Sequence, residues 1–249
     1  MAHPLLAFVS IILLAGGMLF QFFIILSGTT LSTPENQIWF LESTTNNIPN
    51  APRNPSRWTS FAICGVDSKG HNTNCGAPVP ALPFDPSHHT NFGTNTGVPN
   101  AFVGTHTYYY LSRFAFAFFI IALFFAVCAL LTSVLALCTR VGAWLSGFNT
   151  FVALFFQTLA AALMTAWSVK ARYHLRRAGE DAKLGTSAYG FTWAAAACFL
   201  LATFTFCASG RSSHRRERTA VASPPPVGTR RRRGFFRFGR RRHVDKEYV

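Results

Sequence analysis

Four long apolar runs, at 5–26, 114–137, 141–169 and 187–206, contain no Asp, Glu, Lys or Arg, and they constrain this chain more than any other feature. A helix rises ~1.5 Å per residue, so each run can cross the ~30 Å hydrocarbon layer of a bilayer. None has the polar face that a helix on a water-soluble core would show. The sequence therefore predicts a four-span, all-α membrane protein. The first run is longer than the apolar core of a signal peptide, which is about 7–15 residues. It reads as an uncut anchor, with cleavage near Ala15-Gly16-Gly17 as the alternative. The chain divides into a first span (1–26), a loop domain (27–112), spans two to four (113–208) and a basic tail (209–249) expected to be disordered.

Charge sets the expected orientation. The formal net charge is +14, and residues 209–249 hold 12 Arg and one Lys against Glu217, Asp245 and Glu247. Basic residues beside a final span favour the cytosolic side. With four spans, both termini are then cytosolic and the loop 27–107 is extracellular. Lys170, Arg172, Arg176, Arg177 and Lys183, softened by Glu180 and Asp181, run against this trend because they follow the third span. Arg140 and the tail outweigh them.

The loop is rich in Asn, Thr, Pro and Gly, and it is too long to be a simple connector. Residues 38–41 and 58–64 are its best strand candidates, and its prolines argue against a long helix. Cys64 and Cys75 are the only cysteines in this loop, with ten residues between them. In an oxidising compartment they read as a disulfide, worth on the order of 3 kcal/mol by the chain-entropy estimate. Free thiols, or a metal site with His71, His88 or His89, are the alternatives; the spacing matches no zinc pattern.

The spans offer Gln21, Asn149 and Gln157 but no carboxylate or lysine, which counts against an enzyme, a proton relay or a transporter. The amides read as bonds between helices. Small residues at 15–17, 142, 147, 160–162 and 194–197 permit close helix approach, within the bundle or against a second copy. No cofactor or metal is expected. The Phe-rich second span reads as packing and lipid-facing surface, with sterol as a further lipid contact.

In the tail, Arg230, Arg231, Arg232 and Arg233, then Arg240, Arg241 and Arg242, flank Phe235, Phe236 and Phe238. Such clusters attract anionic lipid or phosphoinositide at ~1 kcal/mol per charge, and the Phe rings suit the interface. A run that only fixes topology is the alternative. Nucleic acid is set aside because the tail is tethered to a membrane. Ser212, Ser213 and Thr219 are candidate phosphosites. Cys138 and Cys207, near the cytosolic span ends, are candidate palmitoylation sites, or small apolar packing residues.

The order of motifs is more specific than any one of them. The loop reads Ile48-Pro49-Asn50-Ala51, Arg57-Trp58-Thr59, Cys64, Cys75 and Pro80-Ala81-Leu82-Pro83-Phe84-Asp85-Pro86. It ends in Tyr109-Tyr110-Leu111-Ser112-Arg113-Phe114, and span four opens with Ala182-Lys183-Leu184-Gly185 followed by Gly190 and Trp193-Ala194. This set resembles the fungal Sur/PalI family, most closely its Sur-seven type eisosome proteins, which are distantly similar to claudins. The claudin Gly-Leu-Trp is missing and five residues separate Trp58 from Cys64, which counts against a paracellular pore. The resemblance implies a four-helix bundle with a small β-containing, claudin-like extracellular cap, in plasma-membrane furrow domains among other eisosome or cortical proteins. It implies a non-enzymatic role in cortical organisation and wall integrity. The PalI branch implies, alternatively, an accessory to ambient-pH signalling.

Overall fold

A computed structural model describes residues 4–49, 51–136 and 140–221. Four helices, α1 (Pro4–Ile25), α2 (Thr107–Ala136), α3 (Arg140–Arg177) and α4 (Thr186–Val221), form the bundle. All four are long and apolar enough to cross a membrane. α1 packs on α4 and α2, and α3 packs on α2 and α4. Polar side chains bridge these seams at scattered points. Gln21 Nε2 donates from α1 to the Phe119 carbonyl of α2 (2.8 Å), and Gln157 Nε2 donates from α3 to the Thr192 carbonyl of α4 (3.1 Å). Ser10 Oγ donates to Thr205 Oγ1 between α1 and α4 (2.7 Å), Ser146 Oγ to Thr132 Oγ1 between α3 and α2 (3.0 Å), and the Ser168 and Tyr189 hydroxyls pair between α3 and α4. Around them the helices pack closely over small side chains such as Ala126, Ala160, Ala195 and Ala202, all fully buried. A Cβ on Gly17 would lie 2.7 Å from the Phe199 ring, so α1 and α4 approach as closely as their side chains allow.

The helices are longer than the apolar runs. α2 begins at Thr107, ahead of Phe114, and α3 continues to Arg177, past Val169. Lys170, Arg172, Arg176 and Arg177 are therefore helical rather than part of a loop. A charge ends an apolar run without ending a helix, because Lys and Arg are good helix formers. α4 likewise continues to Val221, so residues 209–221, assigned from sequence to a disordered tail, are helical. Of the Phe-rich second span, Phe119 is buried, while Phe114 and Phe124 are exposed on its outer face.

One end of the bundle carries a cap. Its five-stranded antiparallel sheet has the order β4-β3-β2-β1-β5, with β1 at Leu41–Ser43, β2 at Ser56–Trp58, β3 at Ile63–Val66, β4 at Asn72–Thr73 and β5 at Ala182–Leu184. The strand expected over 58–64 is two strands and a turn. Thr59 breaks it: Oγ1 donates to the Ala62 carbonyl and accepts from the Ala62 amide. Such local bonding by a Thr side chain competes with a continuous ladder. The strand expected over 38–41 starts only at Leu41, after a 3-10 turn at Glu35–Gln37. β5 comes from the loop between α3 and α4, and pairs Leu184 with Leu41 and Ala182 with Ser43. The cap is thus built from both loops on that side of the bundle.

Candidate functional site: the cap and its seat on the bundle

Strand geometry places Arg57 and Trp58 on opposite faces of the sheet, because successive side chains alternate. On the first face the Arg57 guanidinium, 6% exposed, pairs with Glu42, its cross-strand neighbour (Nε to Oε2, 2.6 Å). It also donates to the Gly70 carbonyl (2.8 Å) and Asn72 Oδ1 (3.2 Å), and lies 4.6 Å from the Trp39 ring centroid. Asn72 Nδ2 passes the link on to the Ile38 carbonyl. A buried guanidinium is tolerable only when paired and hydrogen-bonded in this way. Cys64, on β3 and opposite Arg57 in the ladder, forms the disulfide with Cys75 and closes the β3–β4 hairpin.

On the other face Trp58, 2% exposed, sits against Phe84 (ring centroids 5.1 Å) and Phe92 (5.8 Å). Its indole N–H donates to Asn91 Oδ1 (2.9 Å), and Asn91 Nδ2 donates to the Pro83 carbonyl. Phe84 stacks on Trp167 of α3 (5.1 Å) and meets Phe102 and Tyr108, and its amide donates to Ser112 Oγ of α2. Pro83 and Pro86 are buried around it. The Pro83–Pro86 segment is therefore a wedge between sheet and helices. A cavity of about 30 Å³ remains among Phe40, Trp58, Phe84, Phe119, Met164 and Trp167. That is room for a water rather than a substrate.

Two further seams fix the cap. Ser60 Oγ donates to the Ile24 carbonyl (2.6 Å) and Ser27 Oγ to Ser60 Oγ (3.1 Å), tying the 59–62 turn to the end of α1. Glu180 accepts from Thr44 Oγ1 and Asn47 Nδ2, tying the second loop to the first, and Arg176 Nε donates to the Ala182 carbonyl, holding β5 to the end of α3. Gly185 is required there: a Cβ on it would lie 1.6 Å from the Trp39 carbonyl oxygen. In sequence Arg176 falls in the basic loop after span three, whereas it lies in the last turn of α3, and nothing in the sequence marks Glu180 as a buried acceptor. The short Ala-Lys-Leu-Gly stretch was the only signal for β5.

The structure thus brings Arg57, Trp58, Cys64, Cys75, Pro83, Phe84 and Pro86 into one assembly, mostly buried. Cys207 lies apart, exposed at the opposite end of the bundle, beside an apolar groove of about 210 Å³ lined by Trp144, Gly147 and Phe148. Cys138 and the tail residues Arg230–233, Phe235, Phe236, Phe238 and Arg240–242 lie outside the described residues. Among the described residues, no three His, Cys, Asp or Glu side chains cluster as metal ligands.

The sequence profile of the SUR7/PalI family matches residues 6–205. The chain belongs to the SUR7/PalI family. Protein SUR7 of Candida albicans is 38% identical over 195 residues, covering 78% of this chain and 70% of that protein. Protein SUR7 of Saccharomyces cerevisiae is 34% identical over 190 residues, 76% of this chain and 62% of that protein. An uncharacterized plasma membrane protein of the same yeast is 35% identical over 207 residues, 80% of this chain and 66% of its own length. The chain therefore spans 62% to 70% of the length of these relatives. The family profile covers the cap and the spans and stops before the basic tail.

Proposed function

We propose that this protein is a non-enzymatic organiser of a plasma-membrane domain, of the furrow or eisosome kind, supporting cortical order and wall integrity. Its cap faces outward, both termini are cytosolic, and the tail holds anionic lipid or phosphoinositide. The observation that carries this reading is the construction of the cap. Both loops are welded to the bundle through the Trp58–Phe84–Trp167 stack and the β1–β5 pairing, with no space among these residues for a substrate. A rigid platform on four helices suits lateral organisation better than chemistry or transport. The outward orientation rests on the disulfide, which persists in oxidising compartments, and on the cationic tail, which favours the cytosol. The basic end of α3 runs against this orientation, and the larger basic count of Arg140 and the tail outweighs it. Other cortical proteins are the partners this role implies, with sterol and a second copy of this chain as further contacts.

The experiment is imaging of a tagged chain beside furrow markers, with and without residues 222–249. Static patches that coincide with the markers are expected. A diffuse plasma-membrane signal from the full chain would overturn the organiser reading. In parallel, a 222–249 peptide should bind anionic vesicles, ignore neutral ones and weaken as salt rises.

A further inference from the structure

The 85–93 turn contains a hydrogen bond that only an uncharged histidine can accept. The Thr90 amide donates to His88 Nδ1 (3.3 Å), and Thr90 Oγ1 lies 2.9 Å from the same nitrogen. A protonated ring carries a hydrogen on both nitrogens and can accept from neither. His88 is also the pivot of the turn. Its amide donates to the Asp85 carbonyl, and its own carbonyl accepts from the Asn91 and Gly93 amides. Asn91 then reaches Trp58 and the Pro83 carbonyl, so the turn and the seat of the cap are two bonds apart.

The surroundings make a charge on His88 costly. Its ring lies 4.0 Å from that of His89 and 5.4 Å from that of Tyr109, centroid to centroid. Arg113, on α2, covers the same Tyr109 ring at 4.8 Å. Burial, then the neighbouring His89, hold the His88 imidazole below its ordinary 6.5, with Arg113 and His106 acting the same way and Asp85 opposing. The Asp85 carboxylate is already engaged by the Ser87 amide (3.1 Å) and hydroxyl (2.7 Å).

We propose that His88 is an acid-sensitive latch: protonation releases the Thr90 amide and loosens the 85–93 turn, and with it the Asn91 hold on Trp58. The direction follows from linkage. A group whose folded value is depressed binds fewer protons folded than unfolded, so its contribution is complete above about pH 6.5 and is lost as pH falls through the folded value. Histidine is the side chain suited to a response in this range. The inference does not depend on the organiser role or on which side of the membrane the cap occupies.

The test is amide hydrogen exchange on the full chain in nanodiscs at pH 7.5 and 5.0, corrected for the intrinsic pH dependence of exchange. Exchange across 85–93 should rise about two- to tenfold at the lower pH, the span of one net hydrogen bond, while β1 and β2 stay unchanged. His88→Asn keeps an acceptor oxygen near the place of Nδ1 without titrating there, and its exchange should not respond to pH. His88→Ala removes the acceptor and should exchange fast at both pH values. Corrected exchange in the unaltered protein that is the same at both pH values would overturn the latch. So would a pH response of 85–93 that survives in His88→Asn and His88→Ala.

Discussion

Arg57 in the cap makes an ion pair, two further hydrogen bonds and a ring contact from one buried side chain. In the bundle, Gln21, Gln157 and the pairs Ser10–Thr205, Ser146–Thr132 and Ser168–Tyr189 each make one bond between neighbouring helices, scattered over seams of close-packed alanines and Gly17. The contrast follows from solvent. A small domain in water cannot bury enough surface to hold itself, so it relies on directional bonds and a disulfide. In lipid the backbone bonds are satisfied within each helix, and association comes from fit, with modest polar contributions. The cap should therefore fail sharply at single residues, and the bundle should yield gradually.

The sharpest test is Trp58→Ala. It removes a side chain that is 2% exposed and touches two rings, and it strands Asn91 Oδ1. Loss of a buried aromatic costs ~3–5 kcal/mol. Limited proteolysis of the purified protein should cut within 27–107 at least a hundredfold faster, while α2 to α4 stay protected. Equal protection of the variant cap would mean that the aromatic seat is not what holds it.

Next is Cys64→Ser. By the chain-entropy estimate, opening a ring of this size costs ~3 kcal/mol. The thermal midpoint of the cap in detergent should fall and its secretion to the surface should drop. Peptide mapping without reductant should recover Cys64 joined to Cys75 in the unaltered chain.

How much of this was legible beforehand depended on whether a feature is local. The spans were, because each is an unbroken run without charge. The disulfide was, because Cys64 and Cys75 stand alone in their loop. The helix ends were not: hydropathy reports where lipid stops, and α3 runs on through Lys170 and Arg172 to Arg177. β5 was the least legible. Its three residues gain strand character only from β1, some 140 positions earlier, through Leu41 and Leu184. Trp58 and Phe84 were picked out by their motifs. Their meeting with each other and with Trp167 is tertiary, and no periodicity in the loop announces it.

Gly17→Ala probes the bundle by fit alone. The added methyl meets the Phe199 ring and the Cys198 side chain, at 2.7 and 3.1 Å from its carbon. Overpacking of this kind costs ~1–3 kcal/mol, at the low end where a ring can shift. The expected result is a lowered thermal midpoint in detergent with the cap still resistant to protease. Release of the cap at the same dose would show that the two regions unfold as one.

The smallest effect is expected at Gln157. The side chain is fully buried, its Nε2 reaches the Thr192 carbonyl, and its Oε1 has no hydrogen-bond partner among the described residues. An interhelical bond in a membrane is worth ~0.6 kcal/mol on average. A buried acceptor left without a partner costs ~1–3 kcal/mol. Gln157→Leu removes both at similar volume, so the two contributions oppose each other and the second is the larger. The variant should melt no lower than the unaltered protein and up to a few degrees higher, and Gln157→Ala, which leaves a void, should melt lower than either. A Gln157→Leu midpoint well below that of the unaltered chain would place the amide among the directional contacts that characterise the cap. The bundle would then owe its cohesion to polar bonds as well as to fit.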